Sequence, residues 1–175
     1  MARRRNDEGV RKLMLPGRLT RDGLLGTDAR PLEEIIASDE AELGRLGRSR
    51  AAVAGRMREL RELGSRALGD SVAAGRREVC SESARGSLCC PFGDSGDIPK
   101  AWVIVRDVPT GEELIFTELN IHMIERHGFF EGRGAAFRLE PEKLVRLLEV
   151  PAEKEPRSSG GARKPRGRGR GNKSR

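Results

Sequence analysis

The first thirty positions show no sustained apolar period. Leu13, Leu15, Leu19, Leu24 and Leu25 are scattered among Pro16, Gly17, Gly23 and Gly26, a pattern that predicts a largely irregular basic arm over residues 1–29 with leucines available for docking. From Pro31 the texture turns helical. Pro31 suits a first helical turn, Glu33 and Glu34 suit the positive end of a helix dipole, and Ile35 and Ile36 follow. Ser38 before Asp39, Glu40 and Glu42 predicts a second cap and a short helix ending at Gly47. Ser49 then caps a longer helix in which Val53, Met57, Leu60 and Leu63 recur at spacings of four and three, with Gly64 as its stop. Residues 30–69 thus read as a helical segment.

Past Gly69 the period shortens. Val72 and Val79 lie between charged residues from Ser71 to Cys80, which predicts a weak strand or hairpin ending near Gly86. A loop rich in Gly, Pro and Asp follows. Trp102, Val103, Ile104, Val105 and Val108 form a β-prone run, Pro109 to Glu112 carry turn chemistry, and Leu114 to Phe116 return as the partner strand. Thr117 is placed to cap a helix carrying Leu119, Met123 and Ile124, which Gly128 ends, so the unit reads β-β-α. Phe129, Phe130 and Phe137 come next as core plugs, with a recognition loop as the alternative. Pro141 starts a last helix with Leu144, Val145, Leu147 and Leu148 on one stripe, closed off by Pro151. The expected fold class is α+β: helices over residues 30–69, an α+β segment over residues 70–150, and a disordered basic tail over residues 151–175.

Charge changes this picture most at the ends. Residues 157–175 hold eight Arg or Lys and no acid, while the whole chain is +7, so residues 1–156 carry −1. Without Arg3, Arg4 and Arg5, residues 6–156 stand at −4. The body is mildly acidic and the tail strongly basic. Arg163, Lys164, Arg166, Arg168, Arg170, Lys173 and Arg175, interleaved with Gly, suit phosphate contact by counterion release, with a plain solubility tail as the alternative. One Trp, five Phe and no Tyr leave few residues for a base-stacking platform. No apolar run approaches a membrane span and no apolar leader follows Met1, so the expectation is a cytoplasmic chain with no membrane partner. Three cysteines in such a chain read as thiols or metal ligands before disulfides.

Leu43, Leu46-Gly47, Ser49, Val53, Met57, Leu60 and Gly64 together resemble a helix-turn-helix DNA-binding unit over residues 39–64. The resemblance implies that a turn glycine lets two helices cross and that Val53, six positions on, locks the second onto the first. It also implies that Arg48, Arg50, Arg56, Arg58 and Arg61, with Ala51 and Ala54, lie on the outer face, where they would meet phosphates or base edges. The alternative is a structural helix pair with a solvated basic face.

The chain's two histidines, His122 and His127, fall on the helix after the hairpin, and Cys80, Cys89 and Cys90 precede it. Over residues 80–127 this order is similar to a Cys2His2 zinc finger, which implies a Zn2+ held by Cys80, either Cys89 or Cys90, His122 and His127. Five residues on an ideal helix turn the second imidazole roughly 140° from the first, so local tightening would be needed. Other readings remain: buried structural thiols, a His at a helix C-terminus gaining from the dipole, or a Cys-His nucleophile for which no third group is evident. Asp94 and Asp97 read as carboxylates capping their own turn. The leading expectation is a nucleic-acid-binding protein, DNA or RNA, that regulates transcription. The alternative is an adaptor or assembly factor whose body binds a protein while its tail holds RNA or another polyanion. A Cys-His enzyme is the least favoured.

Overall fold

In the computed structural model, residues 7–67 and 69–152 are described. The expected tail disorder falls outside them. Five helices and four strands follow in the order α1 (Asp7–Leu13), α2 (Leu32–Arg45), α3 (Arg50–Ser65), β1 (Val72–Ala74), β2 (Arg77–Leu88), β3 (Ile98–Asp107), β4 (Glu113–Thr117), α4 (Glu118–His127) and α5 (Pro141–Leu148). The fold is α+β.

The strands form one antiparallel sheet in the order β1-β2-β3-β4. Val103 and Val105 of β3, Val79 of β2, and Leu114 and Phe116 of β4 point to the buried face, as period-two alternation requires. Against that face pack α3, α4 and α5, through Val53, Met57, Leu60, Ile121, Ile124, Leu144 and Leu148. The β3–β4 hairpin and the capped helix after it match the pattern read from residues 102–128. Thr117 Oγ1 accepts from the Asn120 amide, Asn120 Oδ1 accepts from the Thr117 amide, and Gly128 ends α4 at φ +66°.

Several local expectations needed correction, among them the loop read through Lys100, whose end from Ile98 belongs to β3. Ser38 does not start a second helix: α2 runs unbroken from Leu32 to Arg45, because Ile35, Asp39 and Leu43 lie on one buried stripe that outweighs the local cap signal. The arm contains α1, and its Val10, Met14, Leu24 and Leu25 join Ile35, Leu119, Met123 and Phe129 in a second apolar cluster. Backbone contact ties the arm in place. Gly132 N–H donates to Leu24 O at 2.8 Å and Thr27 N–H to Arg133 O at 2.9 Å. A Cβ on Gly132 would stand 2.2 Å from Leu25 O, so only glycine admits this approach. Phe129 and Phe130 are fully buried plugs, whereas Phe137 is 42% exposed.

Charged side chains fasten the C-terminal end of α5, whose last carbonyls have no partners within the helix. Buried Arg77 donates through Nε to Leu147 O and through Nη2 to Arg146 O, Arg56 Nε donates to Leu148 O at 2.8 Å, and Arg48 Nε to Val150 O at 2.7 Å. A second fastener is the buried pair Arg138–Asp39, with two contacts of 2.6 Å. Asp28, Asp39 and Asp107 are buried acids, each with a guanidinium partner. Glu131 differs. It is 2% exposed, its Oε1 accepts from Asn120 Nδ2 at 2.8 Å, and its Oε2 has no hydrogen-bond partner. Burial raises its pKa to about 7 against the opposing pull of Asn120, the Phe137 amide and the Arg138 charge.

Replacing Arg77 by Met strands the Leu147 carbonyl, while Arg146 O keeps the Glu149 amide, so Arg77→Met is expected to lower unfolding free energy in urea by about 2 kcal/mol. Arg58→Ala, which breaks an exposed pair with Glu125, should cost under about 1 kcal/mol in the same measurement. Glu131 carries a raised folded pKa, so its contribution to stability is whole below the ordinary carboxyl range and is lost as pH rises through about 7. Glu131→Gln removes that loss. It should leave stability at pH 4 near wild type and raise it at pH 8.5 by about 3 kcal/mol, read from urea curves at both pH values.

Candidate metal centre

The loop between β2 and β3 supplies Cys90 and Asp94, and α4 supplies His122 and His127. One donor atom from each, a thiol sulfur, a carboxylate oxygen and two ring nitrogens, lies within 4.8 Å of every other. These four residues form a group that could hold a metal ion. His127 Nε2 stands 2.9 Å and His122 Nε2 3.2 Å from the same oxygen, Asp94 Oδ2, and Cys90 Sγ is 3.4 Å from His127 Nε2. The offset of roughly 140° expected of an ideal helix is bridged without tightening: α4 stays α-helical through His127, and the loop brings Asp94 within reach of both rings, whose centroids are 5.7 Å apart.

The surroundings hold the donors in place. Phe92 stacks on the His127 ring at 4.1 Å between centroids and meets Phe129 edge-on, so the loop is anchored to the second apolar cluster. Cys90 is buried, and His127 is more covered than His122 or Asp94. Burial pushes the Cys90 thiol up and the His127 imidazole down, both toward their neutral forms. A bound cation would reverse the first effect and use the second, since thiolate and neutral imidazole are the ligating forms. His122 Nε2 is buried and makes no hydrogen bond despite its closeness to Asp94.

Of the expected ligands, Cys90, His122 and His127 come together. Cys80 sits on β2 opposite Ile104 with its sulfur toward Gly69 O at 3.5 Å, and Cys89 is exposed; neither belongs to the group. Asp94 is the donor that sequence reasoning assigned to turn capping. Its signal was its position four residues after Cys90, within one loop.

The arginines expected on an outer recognition face are engaged inside the chain. Arg56 holds the last carbonyl of α5 and Arg48 that of Val150 just beyond it, Arg50 pairs with Glu40, Arg58 with Glu125 and Arg61 with Glu118. Three of these pairs bind α3 to α2 and α4 across exposed surface. Arg163, Lys164, Arg166, Arg168, Arg170, Lys173 and Arg175 lie outside the described residues. No helix among the described residues is long and apolar enough to cross a membrane. No family model, curated protein or solved structure matches the chain.

Proposed function

We propose that this is a zinc-binding protein in which Cys90, Asp94, His122 and His127 take one Zn2+ as a structural ion. The convergence of these four donors carries the reading. Ligand atoms on the corners of a zinc tetrahedron, with bonds of about 2.0 to 2.3 Å, stand roughly 3.3 to 3.7 Å apart. Three of the six separations are 2.9, 3.2 and 3.4 Å and all six lie within 4.8 Å, so shifts of roughly 1 Å or less bring the donors to that spacing. One sulfur, two imidazole nitrogens and one carboxylate oxygen suit zinc's borderline softness. Four protein ligands leave no position open for substrate, which favours a structural over a catalytic ion. A plain hydrogen-bonded cluster accounts less well for His122, whose buried Nε2 is badly aligned for a hydrogen bond to the oxygen beside it.

A second reading concerns the partner and rests on charge. The eight cations and no acid of residues 157–175, set against a body at −1, support contact with a nucleic acid through the C-terminal segment. The engagement of the α3 arginines with carboxylates and carbonyls favours this segment over α3 as the contact. On this reading the zinc-held body is free to bind a protein.

Purified under reducing conditions without chelator, the chain should carry about one zinc per molecule by elemental analysis, and chelation should lower its melting temperature. Cys90→Ser and His127→Ala should lose the metal, while Cys80→Ser and Cys89→Ser keep it. Zinc content well under one per chain after supplementation would remove the proposal. For the partner, full-length chain and a 1–156 truncation are titrated with duplex DNA and RNA of unrelated sequences across a range of salt. Truncation should abolish binding to all of them together with its salt dependence. Sequence-dependent duplex binding that survives truncation would instead make α3 the reader.

A further inference from the structure

A cavity of 390 Å³ opens between α1, α2, the β2–β3 loop and the end of α4. Asp7, Glu33, Arg50 and Arg126 line it together with the apolar side chains of Ile36 and Phe92. Helix α2 places the charges. Glu33 stands in its first turn, next to α1, because Arg11 Nη1 donates to Arg30 O at 2.7 Å just before α2 begins. Two turns further on, Glu40 accepts from Arg50 Nη1 at 3.1 Å. Both of these abut Gly128 at the end of α4, where a Cβ would stand 2.7 Å from Glu40 Oε1 and 3.3 Å from Arg50 Nη1. Arg126 lies two residues before that glycine. Seven residues of helix separate Glu33 from Glu40 by about 10 Å. The cavity therefore has an acidic end and a basic end, with Ile36 between them.

These opposite charges share one cavity without neutralising one another. Among the described residues no ion pair engages Asp7 or Glu33, and Arg126 Nε is 3.9 Å from Asp94 Oδ2. Arg50 meets Glu40 through Nη1, and a guanidinium has further donors in the same plane. All four charged residues are exposed, so a molecule entering the cavity can reach them. Elsewhere on the body the arginines of α3 are spent on carboxylates and carbonyls, which makes this separation of charge along one wall unusual for the chain.

We propose that this cavity binds a short zwitterionic peptide of about three residues. Its amino terminus meets Asp7 and Glu33, its carboxylate meets Arg50 and Arg126, and a central apolar side chain lies against Ile36 and Phe92. Three residues in extended form span about 10 Å, which matches the separation of the two ends, whereas a single amino acid spans about a third of that. An ammonium offers three donors to the carboxylates, and a guanidinium suits a carboxylate by paired donation. The size is that of an ordinary small-ligand pocket. None of these six side chains is a donor of the metal centre, and the site stands whether or not an ion is bound there.

The full-length chain, labelled with 15N, is titrated at neutral pH and physiological salt with glycyl-leucyl-glycine, its N-acetyl form and its C-terminal amide while backbone amide shifts are followed by NMR. Saturable shifts at Ile36, Phe92 and Gly128 are expected with the free peptide. Its affinity should be roughly three- to five-fold above that of either blocked form, the range an exposed ion pair provides. Arg126→Gln should erase most of the preference over the amide and keep that over the acetyl form, and Glu33→Gln should do the reverse. Both positions are exposed, so both variants are expected to fold, and a general change in structure would not produce this crossed pattern. No saturable shift at these residues overturns the proposal, as do shifts confined to residues beyond 152. Equal affinities for the three forms, or preferences unaltered in both variants, overturn it as well.

Discussion

Helix α4 has to satisfy several environments at once, and the rest of the molecule is arranged around that demand. Ile121 and Ile124 enter the core against the sheet, α3 and α5, while Leu119 and Met123 enter the cluster built from the arm and α2. His122 and His127 face the β2–β3 loop, and Asn120 turns inward to link Thr117 with Glu131. A helix with apolar residues on two sides cannot lie on a solvent-facing sheet like an ordinary amphipathic helix; it needs a second layer to cover it. The arm supplies that layer, and its close approach to the 131–135 segment explains the glycines at positions 26 and 132, where a Cβ would collide with backbone.

Arginine plays a larger part here than charge counting suggests. A guanidinium presents several donors in a rigid plane and can meet a helix end and a carboxylate together. Arg77 and Arg56 converge on the carbonyls that end α5, Arg48 holds Val150 just beyond it, and Arg138 joins α2 to the segment before α5 through Asp39. Buried pairs of this kind add little net energy when intact, but removing one member leaves the other desolvated and alone. They therefore specify how the helices sit more than they deepen the energy of the fold.

The proposed zinc fits the same logic. The segment from Cys89 to Asp97 carries Gly, Pro and Asp and few apolar anchors, so Phe92 and the buried Cys90 are its main holds on the body. An ion joining Cys90 and Asp94 to His122 and His127 would fix this loop to α4 more firmly than the Phe92 ring contact and the polar contacts of Asp94 and Cys90 do by themselves. Because the same helix meets both apolar clusters, a metal there would couple the loop to the whole body.

Local signals were legible in the residues themselves. The period-two run at Trp102–Val105, the Thr117 cap, the Gly128 stop and the three-and-four spacing of Val53, Met57 and Leu60 each depend on neighbours within one turn or one strand pair, so the α+β class and the approximate bounds of α3, β4, α4 and α5 could be read directly. Ser38 shows where that reading ends: its local cap signal is sound, but Ile35 and Leu43 bury together only if the helix continues through it. The site was legible in part. Cys90, His122 and His127 were recognisable as soft and borderline ligands, whereas choosing Cys90 over Cys80 and Cys89, and admitting Asp94, depended on which way a loop of irregular backbone turns. The same holds for the arginines of α3 and for Glu131, whose type and spacing say nothing of what they touch. By itself, the sequence determined what can be computed from near neighbours, namely periodicity, caps, turns and net charge. Only the tertiary structure decided which distant groups meet, because those contacts depend on the packing of the whole chain.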